Sequence, residues 1–202
     1  MITKEFVLAG NATFTVEPPT NFIAARAALG ETWHPRYTYR VERVEMDSRA
    51  DPRVKDTFYF AKSMTGPDNT ADYVYVGVVH PTLGTVRLTG KSAFPYDSTR
   101  VKVLMRVLSR IFAGEAAKIT EAGWTVHHEG RCGRCGRALT VPSSIESGIG
   151  PECARKIRCT KINKAKATGP LAALRRHVTG KVESGEAEPI VEITTSPTAD
   201  AF

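Results

Sequence analysis

No stretch of this chain approaches the roughly 18 to 20 consecutive apolar residues that a membrane span needs, so no membrane-crossing helix is expected. The first ten residues carry both Lys4 and Glu5 and no long apolar run, so they do not read as a secretory leader. Cysteine is scarce, at four residues in 202. That is the usage of a reducing cytoplasm rather than of a disulfide scaffold. A Walker phosphate loop, a dinucleotide-binding glycine fingerprint and a Gly-x-Ser-x-Gly elbow are all missing, which removes the enzyme classes built on those loops.

What is present is concentrated in one place. Cys132-Gly133-Arg134-Cys135 is followed by Gly148-Ile149-Gly150-Pro151-Glu152-Cys153. A Cys-x-x-Cys turn puts two sulfurs within reach of one ion, and a third thiolate can arrive from a later element. Gly148 and Gly150 permit the φ-positive backbone of a knuckle, and Pro151 suits the first position of a helix. Glu152 then sits favourably for the helix dipole, and Cys153 lies near a helix N-terminus, where a thiolate is stabilised. The expected ion is Zn²⁺, in a treble-clef or zinc-ribbon-like finger. His128, four residues before Cys132, is the expected fourth ligand. Cys159 is the alternative, although it faces a different side of the helix from Cys153, and His127 or a water stands behind both.

The run His128-Glu129-Gly130-Arg131-Cys132-Gly133-Arg134-Cys135-Gly136-Arg137-Ala138-Leu139-Thr140-Val141-Pro142, continuing through Ser144-Ile145-Glu146 to Gly148-Ile149-Gly150-Pro151-Glu152-Cys153, resembles a domain-of-unknown-function family common in actinobacteriophage and plasmid proteins. Upstream, Ala9 to Thr15 and Gly66-Pro67-Asp68-Asn69 with Asp72-Tyr73 resemble the small domain that often precedes that finger, and Pro18 to Trp33 reads as an insertion. The resemblance implies a zinc finger and a mobile-element origin, and lends no activity.

Charge is unevenly placed. Residues 1–127 hold 16 Lys and Arg against 13 Asp and Glu, residues 128–181 hold 12 against 3, and residues 182–202 hold none against 5. A polyanion is the natural partner of the middle block, nucleic acid (DNA or RNA) first. The expected contacts are Arg131, Arg134, Arg137, Arg155, Arg158, Lys161 and Lys164.

The N-terminal part reads as α+β: a small antiparallel sheet packed by one helix, followed by the finger and a basic helix running to about residue 167. Strands are expected over Ala12–Val16, Tyr37–Val44, Thr57–Met64, Tyr73–Val79 and Thr85–Lys91, with turns at Gly66-Pro67-Asp68-Asn69 and Pro81-Thr82-Leu83-Gly84. A short helix is expected over Asn21–Leu29. The clearest helix runs from Thr99 to Phe112, capped by Asp97 or Ser98 and closed by Gly114, with Val101, Leu104, Met105, Leu108, Ile111 and Phe112 as its buried stripe. Asp68, Asn69 and Asp72 read as a hairpin turn rather than a calcium loop, because no loop-closing Glu follows. Tyr37, Tyr39, Phe58 and Phe60, interleaved with bases, are either a stacking platform for single-stranded nucleic acid or one buried and one solvated face. The expected divisions are an α+β domain over 1–123, the finger with its basic helical extension over 124–180, and a disordered acidic tail over 181–202.

His127-x-Glu129 before a Cys-x-x-Cys has the flavour of a zinc deaminase, but only Gly130 and Arg131 separate Glu129 from Cys132, too little chain for the two helices of that class. Catalysis is therefore not expected, a metal-dependent nuclease being the remaining enzyme reading. Two functions stand: a nucleic-acid-binding accessory protein of a phage or plasmid, and a protein-binding module that inhibits or redirects a host or defence factor, with zinc as a staple.

Overall fold

The structure is a computed structural model and describes residues 2–158 apart from 50, 52, 69 and 70. In chain order its elements are α1 (Lys4–Val7), β1 (Asn11–Glu17), α2 (Thr20–Ala27), β2 (Tyr37–Asp47), β3 (Lys55–Met64), β4 (Tyr73–Val79), β5 (Val86–Arg87), α3 (Thr99–Phe112), α4 (Ala116–Glu121), β6 (Thr125–His128) and α5 (Pro142–Ser147). Residues 151–158 are again helical. The protein is α+β. Its six strands pair antiparallel in the order β5-β4-β3-β2-β1-β6, a meander to which the last strand is added on the far edge.

Side chains alternate across a strand, and the register sorts the faces. Ala12, Phe14 and Val16 lie opposite Val41, Tyr39 and Tyr37, with Ala61 next to Val41. All seven are fully buried. α3 covers this face. Ser98 accepts from the Val101 N–H at 3.3 Å and so caps the helix. Val101, Val103, Leu104, Val107, Leu108 and Ile111 are buried, while Arg106 and Arg110 are exposed. Met105 and Phe112, expected in the stripe, are only half-buried, and Val103 and Val107 take their place. The Tyr39 hydroxyl donates to the Arg100 carbonyl at 2.7 Å, and Arg100 Nη1 donates to the Met64 carbonyl at 2.7 Å, so the first turn of α3 is pinned to β2 and β3. Burial, then the neighbouring Tyr37, pushes the Tyr39 hydroxyl well above its ordinary pKa against the opposing pull of Arg100, leaving it a donor.

The other face of the sheet carries Thr13, Arg40, Lys62, Tyr75, Phe60 and Val78 by register. It is half-buried: Phe58 and Phe60 stack at 6.2 Å, Phe60 meets Tyr75 edge-on at 5.9 Å, and Arg40 lies 3.8 Å over the Tyr73 ring. Tyr37 and Tyr39 therefore belong to the core, and Phe58 and Phe60 to the side away from α3.

The expected strand over Thr85–Lys91 shortens to Val86–Arg87. The turn after β3 works as expected: Asp72 Oδ2 accepts from the Asp68 N–H at 2.8 Å and Asp68 Oδ1 from the Ala71 N–H at 3.1 Å. Among the described residues no helix is long and apolar enough to cross a membrane. The basic segment beyond Arg158 and the acidic tail lie outside the described residues.

Candidate metal centre

β6 delivers the chain to the finger. It is the outer strand next to β1, with Val126 opposite Val16 and His128 opposite Phe14. Gly130, at φ +69°, turns the chain out of the sheet. Arg131 then bridges to Ala138, Cys132 donates its N–H to the Arg137 carbonyl at 2.8 Å, and Gly136 donates to the Cys132 carbonyl at 2.9 Å. These bonds close a small hairpin whose tip is the Cys132–Cys135 knuckle. Pro142 opens α5, and Gly148, left-handed at φ +69°, ends it. Gly150, the other glycine expected to need positive φ, does not have it. Its N–H instead points at Cys132 Sγ, 3.4 Å away. Pro151 starts the next helix, which places Cys153 in its first turn.

The three sulfurs of Cys132, Cys135 and Cys153 come within 4.8 Å of one another. A tetrahedral zinc–thiolate site, with bonds of about 2.3 Å, sets its sulfurs about 3.8 Å apart, so small side-chain adjustments close the group on one ion. Cys132 and Cys153 are buried and Cys135 is exposed. Burial pushes the Cys132 thiol up, but N–H groups of Gly150, Cys135 and Arg134 and the Cys135 thiol outweigh it, so its pKa falls to about 7. Cys153 is pushed up to about 11, by burial first and then by the two neighbouring sulfurs. A thiolate favoured at one corner and sulfurs that disfavour each other's ionisation make a donor set that a soft divalent cation completes.

His128, the expected fourth ligand, is not among the clustered groups. Its Nε2 lies 2.6 Å from the Ile145 carbonyl, and its Nδ1 accepts from the Gly130 N–H at 3.0 Å. Its ring packs 5.4 Å from Phe6. The register with Phe14 turns His128 to the core side of the sheet, and both nitrogens are satisfied there. His127, one residue away, faces the opposite side and is exposed. Cys159 lies outside the described residues.

A cleft of about 400 Å³ adjoins the sulfurs, walled by Arg137, Leu139, Thr140 and Lys156. Arg131, Arg137, Arg155 and Arg158 are exposed and Arg134 is half-buried. Arg155 pairs with Glu152 at 3.2 Å, and Arg131 donates to the Gly136 carbonyl at 3.3 Å. Lys161 and Lys164 lie outside the described residues.

Two residues that hold the finger in place escaped the sequence reading. Phe6, buried in α1, packs where Gly133 and Gly148 leave no room for a side chain: a Cβ on Gly133 would come within 2.8 Å of its ring, and one on Gly148 closer still. Asn11, at the start of β1, donates its N–H to the Gly133 carbonyl at 2.6 Å. The apolar pair Phe6-Val7 and the glycines were the available signs, but nothing in the sequence joined them.

Residues 125–158, which begin with β6 and include all three clustered cysteines, match a family of unknown function (DUF6011). Neither a curated protein nor a solved structure matches the chain.

Proposed function

We propose that the protein is a nucleic-acid-binding accessory protein of a phage or other mobile element, acting in the host cytoplasm, in which zinc held by Cys132, Cys135 and Cys153 stiffens a finger that presents arginines to phosphates. The observation that carries this reading is the placement of Arg131, Arg137, Arg155 and Arg158, exposed on the two arms that bear the sulfurs. Of the four, Arg155 alone pairs with a carboxylate among the described residues. Arginines fixed to a metal-braced hairpin lose little freedom on meeting a phosphate backbone, and their forked donors suit it. A reducing compartment keeps the three thiols available for metal. On this reading the protein is a binder and not an enzyme, and His128, whose two nitrogens are engaged, is not held free as a base. The test is retention on random-sequence DNA and RNA as salt is raised. Binding that falls steeply with salt, and falls further with Arg131→Glu plus Arg137→Glu, is expected; retention indifferent to both salt and the charge reversal would refute it.

One observation favours a second reading. The sheet face carrying Phe58, Phe60 and Tyr75 leaves aromatic surface half-exposed, a composition suited to gripping a host or defence protein. Under that reading the ion is a staple only, and capture of a host protein survives nuclease treatment and the two arginine reversals.

A further inference from the structure

Both tryptophans of the chain, Trp33 and Trp124, line one cleft of about 360 Å³ between α2 and α3, which shares no lining residue with the cleft beside the three cysteines. Phe22 completes the aromatic lining, 4.9 Å from Trp33 and 5.2 Å from Trp124, with the two indoles 6.4 Å apart at 76°. Trp124 is buried, whereas Phe22 and Trp33 keep part of their rings in solvent. Three cations reach the same cleft: Arg26 from α2, and Lys102 and Arg106, one turn apart on α3. Arg106 lies 5.5 Å from the Trp124 ring and Arg26 5.2 Å from the Phe22 ring.

The one carboxylate of the cleft is already engaged. Trp33 Nε1 donates to Glu31 Oε2 at 2.8 Å, and Arg26 Nη1 lies 3.6 Å from Glu31 Oε1. Lys102 and Arg106 have no carboxylate partner among the described residues and are exposed. The lining therefore combines ring faces with two uncompensated positive charges. A neutral aromatic compound would use the rings and leave the charges idle. An inorganic anion would do the reverse, and a quaternary ammonium, which aromatic rings alone would attract, is repelled by Lys102 and Arg106. A flat heterocycle joined to a phosphate satisfies both halves, and the volume lies at the small-ligand end of the usual range.

We propose that this cleft binds a nucleobase together with its phosphate, the base against Trp33 and Phe22 and the phosphate toward Lys102 and Arg106. The shared chemistry has two sources, a free nucleotide or an unpaired base of a nucleic-acid strand; the strand source rests on the nucleic-acid reading of the finger, and the free nucleotide does not. The site is built from the segment that reads as an insertion, α3 and Trp124 just before β6, all outside the residues that match the family.

The test reads tryptophan fluorescence of the intact chain, since both emitters line the cleft. AMP, UMP, adenosine, an octamer of deoxythymidylate and a duplex of equal length are the probes. Saturable quenching by a mononucleotide or by the octamer is expected, with adenosine and the duplex weaker, and Lys102→Glu plus Arg106→Glu should weaken it about tenfold without changing the circular dichroism. Quenching by the octamer alone assigns the strand source; equal occupancy by AMP, displacing the octamer, assigns the free nucleotide. No quenching by either, or quenching that adenosine matches and the charge reversal leaves unchanged, overturns the proposal. The Arg131→Glu, Arg137→Glu protein separates the two readings: lost retention on nucleic acid with intact quenching by AMP leaves the cleft standing and indicts only the finger.

Discussion

The sheet with α3 and the finger differ in how much apolar surface they bury. Between the sheet and the helix the fully buried residues are large: Phe14, Tyr37, Tyr39, Leu104 and Leu108. Each such side chain contributes about 1.5–3 kcal/mol by leaving water, so that region needs nothing but its own sequence. In the finger, from residue 129 to 158, the buried side chains are Cys132, Ser144, Ile149 and Cys153, and the largest apolar group in its interior, Phe6, comes from α1. Leu139, Ala154 and Ile157 add only partly buried surface, so the finger has little apolar core of its own, and zinc on the three sulfurs, as proposed, would supply about 10–16 kcal/mol at neutral pH. On the proposed function the chain uses area where it can close a layer, and sulfur geometry where it cannot.

The largest expected effect separates the two regions. Cys153→Ser should abolish bound zinc in elemental analysis and melt the finger while the circular dichroism of the sheet region survives; full zinc content in that variant would remove Cys153 from the centre. Phe6→Ala should act on both, because its ring packs against the core and against Gly133 and Gly148. A loss of about 3–5 kcal/mol in thermal or denaturant unfolding, together with faster zinc release to a chelator, is the expected pair; zinc release unchanged would mean that α1 does not brace the knuckle. Leu104→Ala should cost about 2–5 kcal/mol in the sheet region with zinc content intact, and zinc lost in proportion would contradict the division of labour.

The smallest effect is confined to the metal-free protein and concerns pH. Cys132 is lowered from 9.0 to about 7, so it contributes stability that is present above pH 9 and lost as pH falls through 7. Cys153, raised to about 11, acts in the opposite direction, contributing stability below pH 9 that is lost as pH climbs toward 11. Lowering pH from about 8 to about 6 should therefore reduce the exchange protection of the stripped finger and leave that of α3 alone, once intrinsic exchange rates are corrected. Equal changes in both would place the titration outside the centre.

Legibility in the sequence follows the same divide. α3 stands where its 3.6-residue period put it, Thr99 to Phe112; β4 matches its expected strand, and β2 and β3 contain theirs while running on to Asp47 and starting back at Lys55, because alternation over seven or more residues is a strong local sign. The knuckle and the helix at Pro151 were readable from cysteine spacing, glycine and proline. β6 was not: Thr125-Val126-His127-His128 is a strand only because β1 pairs with it. α5 was not expected as a separate helix, although Pro142 and Gly148 mark its two ends, and that omission hid the Ile145 carbonyl that meets His128 Nε2. The aromatic cleft joins residues 22, 33 and 124, a separation no local pattern bridges.

Hydrogen exchange of the intact chain, followed before and after zinc is stripped by a chelator, puts the dependence of the finger on metal directly to measurement. Residues 128–158 should lose most of their protection while β2, β3 and α3 keep theirs. Unchanged protection of the finger in the stripped protein would show that packing against Phe6 suffices and that Cys132, Cys135 and Cys153 do not hold it together.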